Sequence, residues 1–439
     1  MRPFVCFCVA ALSALSAAAP GVAATRPRYG GTLRIETRLA AASLQSEEVH
    51  SSLLARRLAS LIFDPLPALV SASSQNEGRR WELTVRSGVA FHTGMPLTAR
   101  SLAAALEEAL GKSAVTMTRD GVVVEFSTPI HALPEILIRA GRDRMAGTGP
   151  FRLAEWRPRR RAVFVANEEY WGGRPFLDRI EIEMGRSPRE QLIDLEVDKA
   201  DLVDVDPGEF RRASERGRKI WSSEPVELMA LVFNSRPSAV DLRVREALAL
   251  AIDRAAMHNV LLQRKGEMAG TLLPQWISGY AFLFSTSLDL ARARSLVAQA
   301  PAPARTLTLS YDPASPLARA LAERVALNAG DAGIAVQIVA GGGRPALRLV
   351  QLRISSANAQ EALAAVAGEL GLAAPPPDSS PQALFDSERR LLQGFEVIPL
   401  FHLPELFAVG SRVRTWLEPG LDSFGNWRLA NLWVWSETP

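Results

Sequence analysis

The chain has 439 residues and a formal charge of +3, with 50 lysines and arginines against 47 aspartates and glutamates. That length holds two or three lobes with cores of their own, and a balance so near neutrality, with basic and acidic residues interleaved, lacks the patch that nucleic-acid binding needs. The cysteines, Cys6 and Cys8, both lie near the start, which excludes a disulfide scaffold, a thiol nucleophile and a cysteine-ligated metal from the rest of the chain.

Met1-Arg2 is followed by an apolar stretch from Phe4 to Ala19, a break at Pro20-Gly21 and small residues up to Ala24. A basic start, a short apolar core and a small-residue cleavage site predict a secretory signal peptide over 1–24 and export of the remainder. The apolar stretch falls short of the roughly 20 residues of a membrane span, and Cys8 lacks the small-residue context of a lipidation site.

Gly30-Gly31 leads into a first strand with Leu33 and Ile35 inward. Leu53–Phe63 reads as a helix and Trp81–Arg86 as a strand. Thr98 is an N-cap for a helix carrying Leu102, Leu106 and Leu110 on one stripe. His92 has no second histidine or carboxylate at metal spacing, so it reads as a turn-stabilising residue. Gly111-Lys112-Ser113 ends like a phosphate loop, but Leu106 stands where that motif needs glycine. Val122–Phe126 reads as a strand and Thr128–Arg139 as a helix.

The most legible stretch runs from Gly147 to Met184. Phe151 and Leu153 share a face, Arg157-Pro158-Arg159-Arg160 turns the chain, and Arg161–Ala166 returns as the second arm of a hairpin. Ile180, Ile182 and Met184 alternate with charged residues in a third strand. Tyr170 and Trp171 read as packed aromatics buttressing this sheet, and the basic run Arg157–Arg161 as a solvated tip. A helix through Leu192 leads to a strand at Leu202–Val205. The unbroken apolar run Leu228–Asn234 is a strand buried on both faces. Asp241 caps a helix with Val244, Leu248 and Ile252 inward, while Asp253 and Arg254 read as a surface pair or helix-end contact. Asp289–Ala300 is a helix, and Leu307–Ser310, Pro316–Ala332 and Ile334–Val339 make a β-α-β unit. Gly341–Pro345 and Ala373–Pro381 then bracket a short strand and one alanine-rich helix, with Asp378 the acid nearest by. Val397–His402 and Phe424–Val434 close the chain.

Gly147-Thr148-Gly149-Pro150-Phe151, the segment Asn167–Gly173 and the string Val244–Arg254 together resemble the family 5 extracellular solute-binding proteins, the peptide/nickel-type receptors of ABC importers. The resemblance implies an α/β, bilobal periplasmic-binding-protein fold of type II with an extra subdomain. Lobe I would comprise 25–46, 146–234 and 395–439, the subdomain 47–145, and lobe II 235–394, shortened between its Gly/Pro-rich linkers at 341–345 and 373–381. It implies a periplasmic monomer that closes on a small ligand, an oligopeptide or dipeptide, and delivers it to an ABC permease in the inner membrane, with no cofactor, metal or nucleic acid. In that fold the first strand ends at the cleft, which makes Thr37 and Arg38 candidate ligand-binding residues. Asn234 ends the segment that crosses between lobes, and Trp276 lies in a loop that faces the cleft in relatives.

Lys199-Ala200-Asp201-Leu202 keeps the family's aspartate there without its glycine. The tryptophan and Asp-Pro step with which relatives hold a peptide's amino terminus has no counterpart here. That departure opens a further possibility, a member without transport that serves as a sensory or structural partner. A roomy, part-polar cavity would mark retained binding, and a cleft filled by its own side chains its loss. A secreted hydrolase is disfavoured: there is no Gly-x-Ser-x-Gly elbow, no His-Glu-x-x-His, and His50, His92, His131, His258 and His402 show no ligand spacing.

Overall fold

The computed structural model describes residues 26–119, 121–127, 130, 133–139, 145–234, 239–280, 285–341, 345–376, 380–415 and 420–435. The expected signal peptide, His131 and Asp378 lie outside the described residues.

Among the described residues the main sheet has eleven strands. Its first wing holds β1 (Thr32–Thr37), β6 (Phe151–Arg157), β7 (Arg161–Ala166), β8 (Arg179–Met184) and β9 (Leu202–Val205). β6, β7 and β8 form the expected antiparallel meander, and β1 lies parallel between β8 and β9. The second wing holds β12 (Thr306–Tyr311), β13 (Ala335–Ala340) and β14 (Leu347–Arg353), with β12 and β13 parallel across their connecting helix. Two long antiparallel strands join the wings, β10 (Lys219–Phe233) and β15 (Val397–Val409). The short β11 (Glu267–Met268) pairs with β15 as well.

The apolar run in β10 follows from its position. Met229, Leu231 and Phe233 enter one core with the helices Leu242–Ala251 and Pro316–Asp331, while Leu228, Ala230 and Val232 enter another with the helices Ala359–Glu369 and Pro381–Leu392. Both faces are dry, so neither carries polar side chains there. A four-stranded antiparallel sheet, β2 (Val70–Gln75), β3 (Arg80–Val85), β4 (Val115–Met117) and β5 (Val122–Glu125), packs on the helix Ala99–Leu110. Thr98 caps that helix, its hydroxyl accepting from the Ser101 amide at 3.2 Å. Near the end of the chain, β16 (Val413–Thr415) and β17 (Leu432–Val434) pair with each other, and Leu432 and Val434 join the core of the first wing.

Three donors converge on buried Asp64: the Thr148 hydroxyl at 3.0 Å, the Tyr170 hydroxyl at 3.0 Å and the Trp171 indole at 2.8 Å. The aromatic pair thus buttresses the sheet through a shared acid. His92 donates its amide to the Gly147 carbonyl at 2.8 Å, and its Nε2 lies 3.0 Å from the Gly149 carbonyl.

One expected element differs. Of Thr128–Arg139, the described residues Ile130 and Leu133–Arg139 are not helical. The Leu66 amide donates to the Ile136 carbonyl at 2.8 Å, and Pro65 bridges to Leu137. Pro134 has no N–H to donate and drives Leu133 towards extended backbone, so the stretch satisfies its polar groups across the chain instead. The basic turn is balanced by carboxylates on the strands, with Arg157 2.6 Å from Glu155 and Arg161 2.9 Å from Glu181.

Candidate functional site

The two joining strands are weakened where they meet. Pro225 of β10 stands opposite Pro404 of β15, and the register shifts on either side. Neither proline donates to the ladder, and the Glu405 amide turns to the Ser223 hydroxyl at 2.9 Å. On the other edge of β15, β9 pairs with Leu406–Val409 and β11 with Phe401 and His402, so the two lie end to end with Leu403–Glu405 unpaired between them.

A cavity of about 30 Å³ opens at this seam, room for about one or two waters. The first wing contributes Arg38 and Asp204–Pro207, the joining strands Glu227 and Leu403–Leu406, and the second wing Ser315, Leu317 and Gln351. Parallel pairing of β1 with β9 places Thr37 beside Asp204. Asp204 accepts from the Thr37 hydroxyl at 2.8 Å and the Arg38 amide at 2.9 Å, while its own amide donates to Gln191 at 2.9 Å. The Arg38 guanidinium pairs with Asp206. Ser315 caps the helix Pro316–Asp331, its hydroxyl accepting from the Ala318 amide at 3.1 Å.

The lining is acidic: Asp204, Asp206, Glu227 and Glu405 against Arg38. Burial pushes the Asp204 carboxyl up, against the opposing pull of Arg38 and the Thr37 hydroxyl. Burial also raises Glu227, and the neighbouring Glu405 adds to the shift. Arg38 is held above its ordinary value, burial working against its charge while Asp206, Asp204 and Glu227 favour it. Glu405 is compensated from behind by Arg57 at 2.5 Å and Arg353 at 2.8 Å. Glu227 accepts from Gln351 and makes no ion pair among the described residues.

The family model of bacterial extracellular solute-binding proteins, family 5 Middle, matches residues 64–391. The chain belongs to that family. It is 24% identical over 221 residues to the nickel-binding protein NikA of Staphylococcus aureus, covering 45% of each sequence; the chain thus spans about half the length of the curated relatives it matches. In fold it is similar to the ABC transporter substrate-binding protein CtaP of Listeria monocytogenes, with a TM-score of 0.80 at 16% identity over 93% of this chain and 100% of that one. A dipeptide-binding protein of Pseudoalteromonas sp. SM9913, solved with Met-Leu, gives a TM-score of 0.77 at 16% identity over 92% of this chain and 100% of the other. The periplasmic-binding-protein fold expected from the motifs is the fold observed.

In this family 5 chain Arg38 lines the cavity and Thr37 lies directly behind it. Asn234 lies away from the cavity, at the second-wing end of β10. Its amide nitrogen Nδ2 donates to the Pro345 carbonyl and its backbone N–H to Ala346 at 3.1 Å, so it satisfies the strand end. Trp276 packs on the opposite face of the joining strands. Its indole donates to the Pro225 carbonyl at 2.8 Å, and its ring meets Phe424 edge-on at 5.2 Å. Asp253 caps a second helix by accepting from Ala256 at 2.8 Å, and Arg254 is buried beneath the Pro399 carbonyl, 2.9 Å from Nη2.

Asp204, Asp206, Glu227, Gln351 and Glu405 were not singled out from the sequence. A signal for two of them exists: Leu202-Val203-Asp204-Val205-Asp206-Pro207 alternates acids with valines at the end of a strand, an arrangement that puts both carboxylates on one face of the sheet. No group of three potential ligands that could hold a metal occurs among the described residues. The imidazoles of His258 and His402 face the backbone carbonyls of Gly266, at 3.0 Å, and Leu272, at 3.2 Å.

Proposed function

We propose that this family 5 protein is the solute receptor of an ABC importer, working in the periplasm, and that its solute is small and positively charged. The observation that carries this reading is the seam cavity, where residues from both wings and both joining strands bring Asp204, Asp206, Glu227 and Glu405 around Arg38. Arg57 and Arg353 offset Glu405 from behind, and Glu227 makes no ion pair among the described residues. In this reading 25–46, 146–234 and 395–439 form lobe I, 235–394 lobe II and 47–145 the subdomain. The proline pair Pro225/Pro404 is the bending point between the lobes. A solute cation beside Glu227 offsets its repulsion from Glu405, an attraction gained only when the lobes meet, and such differential contacts favour the closed form that a permease reads. No bond is made or broken.

At about 30 Å³ the seam as observed admits only water, so a dipeptide or smaller amine requires the lobes to part before closing on it, and a long oligopeptide requires a still wider opening. A thermal-shift series with Gly-Lys, Gly-Glu, uncharged small solutes and a nonapeptide tests the reading. A solute at about 100 times its Kd adds roughly 2.7 kcal/mol. Gly-Lys is expected to raise the midpoint and Gly-Glu to leave it unchanged; stabilisation only by anionic or uncharged solutes overturns the charge assignment.

A second reading, a member that closes without cargo, is favoured by that same small volume and by the pairing of Arg38 with Asp206. It is the outcome if no solute of any charge shifts the midpoint.

A further inference from the structure

We infer that Gln263 is a clasp between the two wings that sets how tightly the seam cavity closes. Past β9 the chain runs through Asp206, Pro207 and Gly208 into the short helix Phe210–Ser214. Ahead of β11 it leaves the helix Arg254–Val260 and runs through Leu261 to Gly266. Because β9 and β11 lie end to end on β15, these two connections face each other across the seam.

The Gln263 side chain spans the gap. Its Oε1 accepts from the Arg211 amide at 2.8 Å, and its Nε2 donates to the Gly208 carbonyl. One primary amide thus engages a donor and an acceptor of the opposite wing's backbone. Lys265 adds a second contact, its ammonium 3.6 Å from the centroid of the Phe210 ring. Gly208 approaches the Leu261 carbonyl so closely that a Cβ there would come within 3.2 Å of it.

The local backbone is shaped for this contact. Gln263 and Arg264 have φ of 50° and 64°, left-handed values that cost a residue bearing a Cβ and persist where surrounding contacts hold them. Asp206 and Pro207, which line the cavity, immediately precede the clasped Gly208. Releasing Gln263 therefore frees one wall of the cavity together with the wing that carries it. The clasp needs no solute and stands apart from the charge of the cargo.

Electron–electron dipolar spectroscopy tests this on the full chain carrying Cys6→Ser and Cys8→Ser, with spin labels at Ile193→Cys and Leu327→Cys. These are exposed positions, 41% and 56% accessible, one on each wing. The parent is expected to give one narrow distance distribution. Gln263→Asn tolerates the left-handed backbone but is one methylene too short to span both partners. It is expected to raise the longer-distance population about tenfold, the scale of losing two hydrogen bonds. Arg264→Gly relieves the neighbouring φ without touching the clasp and is expected to match the parent. An unchanged distribution in Gln263→Asn, or an equal change in Arg264→Gly, overturns the inference.

Discussion

The indole of Trp171 donates to the carboxylate of Asp64 at 2.8 Å, tying the aromatic motif of the first wing to the segment that enters the four-stranded sheet. The Thr148 and Tyr170 hydroxyls complete the coordination of that acid. Asp64→Ala strands three donors and is expected to cost about 3 kcal/mol of stability, while Trp171→Phe removes one bond and costs about 1 kcal/mol. Urea unfolding of the two variants should rank them in that order; equal losses would mean that packing of the ring, rather than the shared acid, holds the junction.

Those residues also mark how far the sequence was legible. Gly147 and Gly149 are motif glycines because the chain passes the Ile62 carbonyl too closely for a side chain: a Cβ on Gly147 would lie 2.0 Å from that oxygen. Such local demands recur wherever the fold recurs, so the motif identified the architecture. Alternation likewise placed β8, where Ile180, Ile182 and Met184 are buried and the charged residues between them are not, while the turn at Pro158 marked the hairpin of β6 and β7. The site was harder to read. Thr37 and Asp204 meet across 167 residues, and periodicity reports which face is buried, not which partner buries it. Only the Leu228–Phe233 part of β10 is visible in the pattern, since Ser222, Ser223, Glu224 and Pro225 interrupt it where the strand crosses the seam. Trp276 and Asn234 are candidates only through the family resemblance, and their packing depends on contacts that no local pattern encodes.

Arg57 is buried between the rings of Phe407 and Trp427, each 5.3 Å away, and pairs with Glu405 at 2.5 Å. Glu405→Gln leaves that cation with a neutral partner in a dry site, and a loss of about 3 kcal/mol is expected. Arg57→Met combined with Glu405→Gln should recover part of it, because the fully buried guanidinium is then gone and only the less buried Arg353 has lost its carboxylate. A double-mutant cycle by denaturant unfolding measures the coupling; additive losses would contradict a buried pair.

Glu388 and His402 grip the same residue from opposite sides. Glu388 accepts from the amides of Leu272 and Leu273, and His402 faces the Leu272 carbonyl. Burial raises Glu388 from 4.5 to about 7 and lowers His402 from 6.5 to about 4. Glu388 therefore contributes stability that is full below pH 4.5 and lost as pH rises to about 7, whereas His402 contributes stability that is full above pH 6.5 and lost as pH falls to about 4. Each effect is at most about 3 kcal/mol, and between the two they nearly cancel. The joint contribution of this pair to the unfolding free energy is flat from pH 4.5 to 6.5, on top of the fall with pH that Glu36, also raised by burial to about 7, contributes. Glu388→Gln should unmask a rise with pH and His402→Gln a fall; parallel profiles for the two variants would refute the opposition.

Acidification also reports on the cavity. Asp204 and Glu227 are both raised by burial, so they neutralise sooner than exposed carboxylates as pH drops. Affinity for a cationic solute is expected to fall with pH, and titration calorimetry with Gly-Lys at stepped pH checks the direction; affinity that rises on acidification would contradict it.

The most direct test of a solute held at the seam is mass spectrometry of what the protein releases after purification from its native host, run beside Glu227→Gln. The account predicts a cation of dipeptide mass or less, released by the parent and absent from the variant. An empty parent, or an anionic solute released equally by both, would contradict it.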